Sequence, residues 1–363
     1  MSKLHAIFDQ QGQAIWLDFI SRDLLITGDL ADLVRQGLRG VTSNPSIFEK
    51  AIGESSAYDA DIAALAAGGA DTFAIYDTLS RVDVTAAADL LRPLYDASRG
   101  QDGFVSLEVN PDLAFDTPGT VAEARRLWQL VDRPNLMIKV PATAAGIPAI
   151  RQLIGEGINV NATLMFSLAD YENVAFAYIE GLERLQAAGG AVDRVASVAS
   201  FFVSRIDTVV DKQLAAAGNQ DLQGQIAIAN AKLAYRRFGQ VFGGARWQAL
   251  AGQGARVQRP LWASTSSKNP AYSDLIYVDT LIGPDTVNTL PLNTLAALLD
   301  HTVIARTLDQ DVDAAQAQID RLAGLGIDFD QVTADLQTAG VAAFAHSFRS
   351  LLQTLAARTP TLA

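Results

Sequence analysis

The sequence predicts an α/β protein built as a single (β/α)8 (TIM) barrel with additional helices. Three observations carry that prediction: eight short, β-branched apolar segments recur along 363 residues, helical segments separate them, and the segments are apolar on both faces. Strands buried on both faces belong in a parallel sheet covered by helices, and eight of them can close into a barrel. A doubly wound open sheet would use the same alternation. No GxGxxG follows any segment, so the dinucleotide-binding form of that alternative has no support.

The first strand is "AIWLDFI" over residues 14–20, and the second is "RGVTSNP" over 39–45. Residues 46–102 are too long for one crossover. The stretches "AYDADIAALAA" and "VDVTAAADLLRPLYDAS" place several helices there as an insertion. The third strand, "GFVSLEVNP" (103–111), is followed by Thr120 and Glu123, a capping-box pattern ahead of "ARRLWQLV". The fourth strand lies in "LMIKVPAT" (136–143) and the fifth in "INVNATLMF" (158–166), after which Ser167-Leu-Ala-Asp opens an amphipathic helix running to about Ala188. "RVASVASFFV" (194–203), "RPLWAST" (259–265) and "PDTVNTLP" (284–291) complete the eight, and the chain beyond Pro291 reads as helices. With no fixed-period repeat or low-complexity linker, residues 1–363 are expected to form one domain.

Composition narrows the function. A net charge of −12 argues against a nucleic-acid or anionic-membrane partner, since both attract a basic field. With no cysteine there is no disulfide framework or thiolate metal site, which fits a reducing compartment. The opening "MSKLHAIFDQQGQ" lacks the apolar core of a signal peptide, and no run of about 18 apolar residues occurs, so a cytoplasmic protein is expected, monomer or homodimer. His5, His301 and His346 are scattered, without HxxxH or HxH spacing, and no metal is expected. An anionic small molecule would need a locally cationic pocket.

The strand in "NLMIKVPAT" poses the sharpest question, because a lysine interrupts an apolar run. Side chains alternate across a strand, so Leu136, Ile138 and Val140 share one face while Met137 and Lys139 share the other. The same alternation sets Asp18 against Leu17 and Phe19, and sets Ser106 and Glu108 against Val105, Leu107 and Val109. Asn161 and Thr163 oppose Ala162 and Leu164; Asn44 ends strand two; strand six offers Ser200, Phe202 and then Arg205. If the apolar partners pack outward, these polar groups converge at the carboxyl ends of the strands, where barrel active sites lie.

An amine held in a tight, partly desolvated site keeps its proton less firmly and becomes a nucleophile toward carbonyls. The iminium it forms draws electrons and makes adjacent carbon–carbon cleavage feasible. Asp18 and Glu108 would share proton transfer, with Thr163 holding a water between them, and Asn44 and Asn161 would hydrogen-bond substrate hydroxyls. Arg205, together with Lys268 in "ASTSSKNPAY" near Ser264, supplies the cationic pocket, since loops after late barrel strands often bind phosphate. Each residue also has a structural reading. Lys139 would snorkel to the surface or pair with Glu108, Asp18 would cap a helix starting near Ser21, Arg205 would start a solvated face with Asp207 and Asp211, and Phe202 would pack like Phe201. Two carboxylates without the lysine would suit a barrel glycosidase, and a catalytically silent sugar-phosphate-binding barrel would need no chemistry at all.

Assembled, these segments resemble the transaldolase family through most of the chain. "GVTSNPSIFEKAI" is similar to its Thr-Ser-Asn-Pro-Ser segment, "VSLEVNP" to its acid strand, "NLMIKVPAT" to its Schiff-base strand, "NVNATLMFS" to its Asn-x-Thr strand and, more loosely, "WLDFISRDLL" to its aspartate strand. The resemblance implies that Lys139 forms the Schiff base, that Glu108, Thr163 and Asp18 handle protons, that Asn44, Asn161 and Ser200 position the sugar, and that Arg205 holds phosphate. It implies phosphorylated sugar substrates and no metal or organic cofactor. The expected reaction moves a dihydroxyacetone unit from sedoheptulose 7-phosphate to glyceraldehyde 3-phosphate in the pentose phosphate pathway. An aldolase that uses the same lysine but releases free dihydroxyacetone is the nearest alternative. Two departures stand out: "ASTSSKNPAY" replaces a shorter arginine-bearing segment, and Phe201 stands where many members carry proline.

Overall fold

The computed structural model describes residues 2–362 and contains a closed barrel of eight parallel strands in chain order. They are β1 (Gln13–Leu17), β2 (Gly40–Thr42), β3 (Phe104–Glu108), β4 (Leu136–Pro141), β5 (Val160–Met165), β6 (Ser197–Phe202), β7 (Arg259–Ala263) and β8 (Thr286–Leu290). All eight expected strands are present, and β8 closes the cylinder by pairing with β1 from Gln13↔Thr286 to Leu17↔Leu290. Every strand is buried along its whole length, as two-faced coverage requires. With Phe201 in place, β6 keeps regular pairing with β7, Phe201 pairing with Trp262 and meeting its ring edge-on at 6.3 Å.

Several boundaries differ from expectation for local reasons. β1 stops at Leu17, so Asp18 sits just past the strand, its amide donating to the Leu290 carbonyl at 2.8 Å. β2 is only three residues long because Asn44 turns the chain, its side chain accepting from the Ile47 amide as the N-cap of the helix Pro45–Glu54. Gly40 in β2 lies beside Trp16, and a Cβ there would meet the indole at 2.5 Å. Only glycine lets that ring fill the lumen.

The Thr120–Glu123 capping box does not form. The helix Thr117–Val131 is capped by Asp116, which accepts from the Gly119 amide, while Thr120 donates to the Leu113 carbonyl and Glu123 pairs with Arg126 at 2.8 Å. By contrast, Ser167 and Asp170 make both bonds of a reciprocal capping box on the helix Leu168–Ala187.

The segment between β2 and β3 holds the helices Pro45–Glu54, Asp59–Ala67 and Thr72–Ala97. The C-terminal helix, Phe329–Leu362, matters most for the site. It packs on the helix Pro45–Glu54 and reaches the ends of the central strands, where Gln337 donates to the carbonyls of Ala142 (3.2 Å) and Leu164 (3.1 Å).

Candidate active site

The register of β3, β4 and β5 places Glu108 beside Lys139, Lys139 beside Asn161, and Pro141 beside Thr163. Lys139 and Glu108 are only 4% and 6% exposed. The Lys139 Nζ donates to the Ser43 carbonyl at 3.2 Å and lies 3.7 Å from Glu108 Oε2, an ion pair longer than a hydrogen bond. Both Glu108 oxygens and the Thr163 hydroxyl are buried without a hydrogen-bond partner among the described residues. Burial pushes the Glu108 carboxyl up to about 7, against the pull of Lys139, so this acid changes charge near neutrality.

Asn161 is engaged inside the barrel, donating to Ser106 Oγ at 3.0 Å and accepting from Ser200 Oγ at 2.6 Å. Thr163 sits where β5 departs from regular pairing with β6, next to Leu164 at φ +61°. The carbonyl of this left-handed residue is the one Gln337 holds. Strain of that kind persists only where neighbours fix it.

Above these groups opens a cavity of 190 Å³ lined by Asp18, Asn44, Lys139, Ser200, Phe202, Arg205, Ser264 and Lys268, among others. Eight of the eleven candidate residues thus meet at its wall. Glu108, Asn161 and Thr163 lie behind it. Asp18 does not cap the helix Arg22–Ile26, a task Ser21 performs, and its carboxyl is raised by burial against the opposing charges of Lys139, Arg205 and Lys268. Arg205 does not join Asp207 and Asp211. Those carboxylates accept instead from the Ala227 amide and Tyr277, and from the Gly224 amide and Tyr272.

The Arg205 guanidinium has no ion pair or hydrogen bond among the described residues. Its company is aromatic, with the Phe202 ring at 5.1 Å and the Phe344 ring at 6.0 Å, and burial lowers its pKa. Beside it, Ser264 adopts φ +57° and shares a hydrogen bond with Ser204 Oγ at 3.0 Å, while Lys268 Nζ donates to Ser266 Oγ at 2.6 Å. A half-buried guanidinium with free donors, two serines and a lysine make an anion-binding surface. Among the described residues no group of His, Asp or Glu gathers to hold a metal ion, and no helix is long and apolar enough to cross a membrane.

Thr42, Ser46 and Phe344 also line the cavity and were not singled out from sequence. Thr42 and Ser46 flank the Asn44 cap and were legible as neighbours of it. Phe344 comes from the C-terminal helix, and no local pattern marks it.

Residues 15–355 match the model of the family described as Transaldolase/Fructose-6-phosphate aldolase. The chain is 52% identical over 344 residues to the transaldolase of Acidothermus cellulolyticus, covering 94% of this chain and 92% of that protein. It is 52% identical over 345 residues to the transaldolase of Thiobacillus denitrificans, covering 94% and 96%. Against transaldolase 2 of a Nostoc species it is 47% identical over 368 residues, with 97% of each covered.

Proposed function

Since the chain belongs to the transaldolase/fructose-6-phosphate aldolase family, we propose that it transfers a dihydroxyacetone unit from sedoheptulose 7-phosphate to glyceraldehyde 3-phosphate through a Schiff base on Lys139. The products are erythrose 4-phosphate and fructose 6-phosphate, an exchange of the pentose phosphate pathway. One observation supports this most: an amine lies 3.7 Å from a buried acid that, among the described residues, has no hydrogen bond of its own, at a cavity also lined by a guanidinium with no ion pair among those residues.

The amine adds to the ketose C2 carbonyl, and the carbinolamine loses water to give an iminium. Glu108 accepts the proton the amine gives up and returns it to the departing hydroxyl, with Thr163 orienting the water. Asp18, which lines the cavity, removes the proton of the C4 hydroxyl. The C3–C4 bond then breaks, its electron pair flows to the iminium, and the aldose leaves. The resulting enamine attacks the aldehyde carbon of the acceptor, Asp18 returns its proton to the new hydroxyl, and water frees the product from Lys139.

Asn44, Asn161 and Ser200 align the sugar hydroxyls, Phe202 walls the cavity, and Arg205 with Ser264 and Lys268 takes the phosphate. A cytoplasmic setting is supported by the absence of cysteine. Neither a glycosidase nor a silent sugar-phosphate-binding barrel is favoured by the family match. Coupled assays with and without glyceraldehyde 3-phosphate or erythrose 4-phosphate test the transfer. Turnover of the ketose phosphate is expected to require the aldehyde. Consumption of fructose 6-phosphate at the same rate without acceptor would instead identify an aldolase releasing free dihydroxyacetone.

A further inference from the structure

Phe344 stands apart from the other cavity residues because the barrel does not supply it. It is carried by the C-terminal helix, yet it is 4% exposed and its ring lies 5.8 Å from Lys139 Nζ and 6.0 Å from the Arg205 guanidinium. The ring therefore faces both the reacting amine and the anion-binding cation. It is also firmly placed. Gln337, earlier on the same helix, holds the backbone just past Lys139 and Thr163, and Ser347 bonds Ser46 Oγ at 2.8 Å. Phe348 meets the edge of Tyr76 at 5.2 Å, and Arg349 pairs with Asp112 at 2.5 Å. Gly340 packs so closely on Leu164 that a Cβ would approach its Cδ2 to 3.0 Å. Moving the ring means moving the helix.

We infer that Phe344 determines the fate of the three-carbon intermediate, favouring transfer to an aldehyde over release by water. The inference rests on the transfer reading of the same cavity. After the first aldose leaves, Lys139 carries an enamine with two exits. In transfer, the enamine carbon bonds the acceptor's carbonyl carbon. In release, that carbon takes a proton, water adds to C2 of the regenerated iminium, the C–N bond breaks, the amine recovers its proton and free dihydroxyacetone departs. An aromatic face beside the nitrogen keeps water from the enamine carbon and slows the protonation that opens release, whereas the hydrolysis that frees Lys139 ends both exits and cancels in their ratio. The arrangement thus disfavours protonation of the enamine relative to its attack on an aldehyde.

The test measures dihydroxyacetone released and dihydroxyacetone transferred by one enzyme preparation, supplied with fructose 6-phosphate and a fixed concentration of erythrose 4-phosphate. Their ratio does not depend on how much of a variant is folded. Phe344→Ala is expected to raise the release-to-transfer ratio by about tenfold or more, Phe344→Val by less, and Phe344→Leu by no more than about twofold. If the alanine variant is insoluble, the valine variant decides. A ratio unchanged in both alanine and valine variants, with transfer and release falling together, overturns the inference. Absence of transfer by the unaltered protein would overturn the proposed function itself, a distinguishable result.

Discussion

The two ends of the barrel use the same kinds of buried charge in opposite ways. At the amino end, Asp102 is fully buried and gripped by Arg39 Nε at 2.8 Å and Arg259 Nη1 at 2.9 Å, while Arg259 also donates to the Gln101 carbonyl. At the carboxyl end, among the described residues, Glu108 has no hydrogen bond and only an ion pair with Lys139 at 3.7 Å, and Arg205 has no hydrogen bond or ion pair, lying between two aromatic rings in the field of Asp18. A buried charge with its partners in place is a structural joint. A buried charge left half-satisfied costs stability, and it persists where it acts on something other than the fold. One lumen thus contains a plug below and a reactive layer above.

The contrast breaks most sharply at Glu108. Glu108→Gln is expected to lower the transfer kcat by roughly 10²–10⁴-fold, while thermal stability holds or rises. The pH dependence of stability sharpens the point. The folded carboxyl titrates at about 7 against an ordinary value of 4.5, so between these limits the folded state holds a proton that the unfolded chain has lost. Its contribution is most favourable below about pH 4.5 and declines as pH rises toward 7, by on the order of 1 kcal/mol per pH unit. Urea melts across that window should show the decline in the unaltered protein and its loss in Glu108→Gln.

Asp102→Ala should do the reverse, because it strands two arginines. Stability is expected to fall by about 3–5 kcal/mol in urea melts, with the kcat of the folded fraction unchanged within about twofold. A stable Asp102→Ala variant with damaged chemistry would erase the distinction between the two ends. The smallest effect belongs to Arg205→Ala. Removing a charged donor set costs about 1.5–3 kcal/mol of binding, so KM for glyceraldehyde 3-phosphate should rise roughly 10- to 100-fold with stability intact. KM for unphosphorylated glyceraldehyde should barely move.

The barrel was legible because strand periodicity is a local property. A lysine at Lys139 in an apolar run points to one face whatever surrounds it, and agreement across strands located the carboxyl-end cluster. Helix caps were legible only where no rival stood nearby. Ser167 and Asp170 had none, whereas Asp116 outcompeted Thr120 by sitting ahead of Pro118, which suits the first turn of a helix. Depth within the site was not legible: alternation assigns a face, yet only the folded register shows that Asn161 bridges Ser106 and Ser200 behind the cavity wall. Phe344 was invisible because the docking of a terminal helix is decided by tertiary packing, here by Gln337 and Gly340 against β4 and β5.

Borohydride reduction in the presence of fructose 6-phosphate, followed by peptide mapping, tests the amine most directly. The account predicts irreversible inactivation with a reduced three-carbon adduct on Lys139 and no adduct in Lys139→Ala. An adduct confined to another lysine, or full turnover by Lys139→Ala, would contradict it.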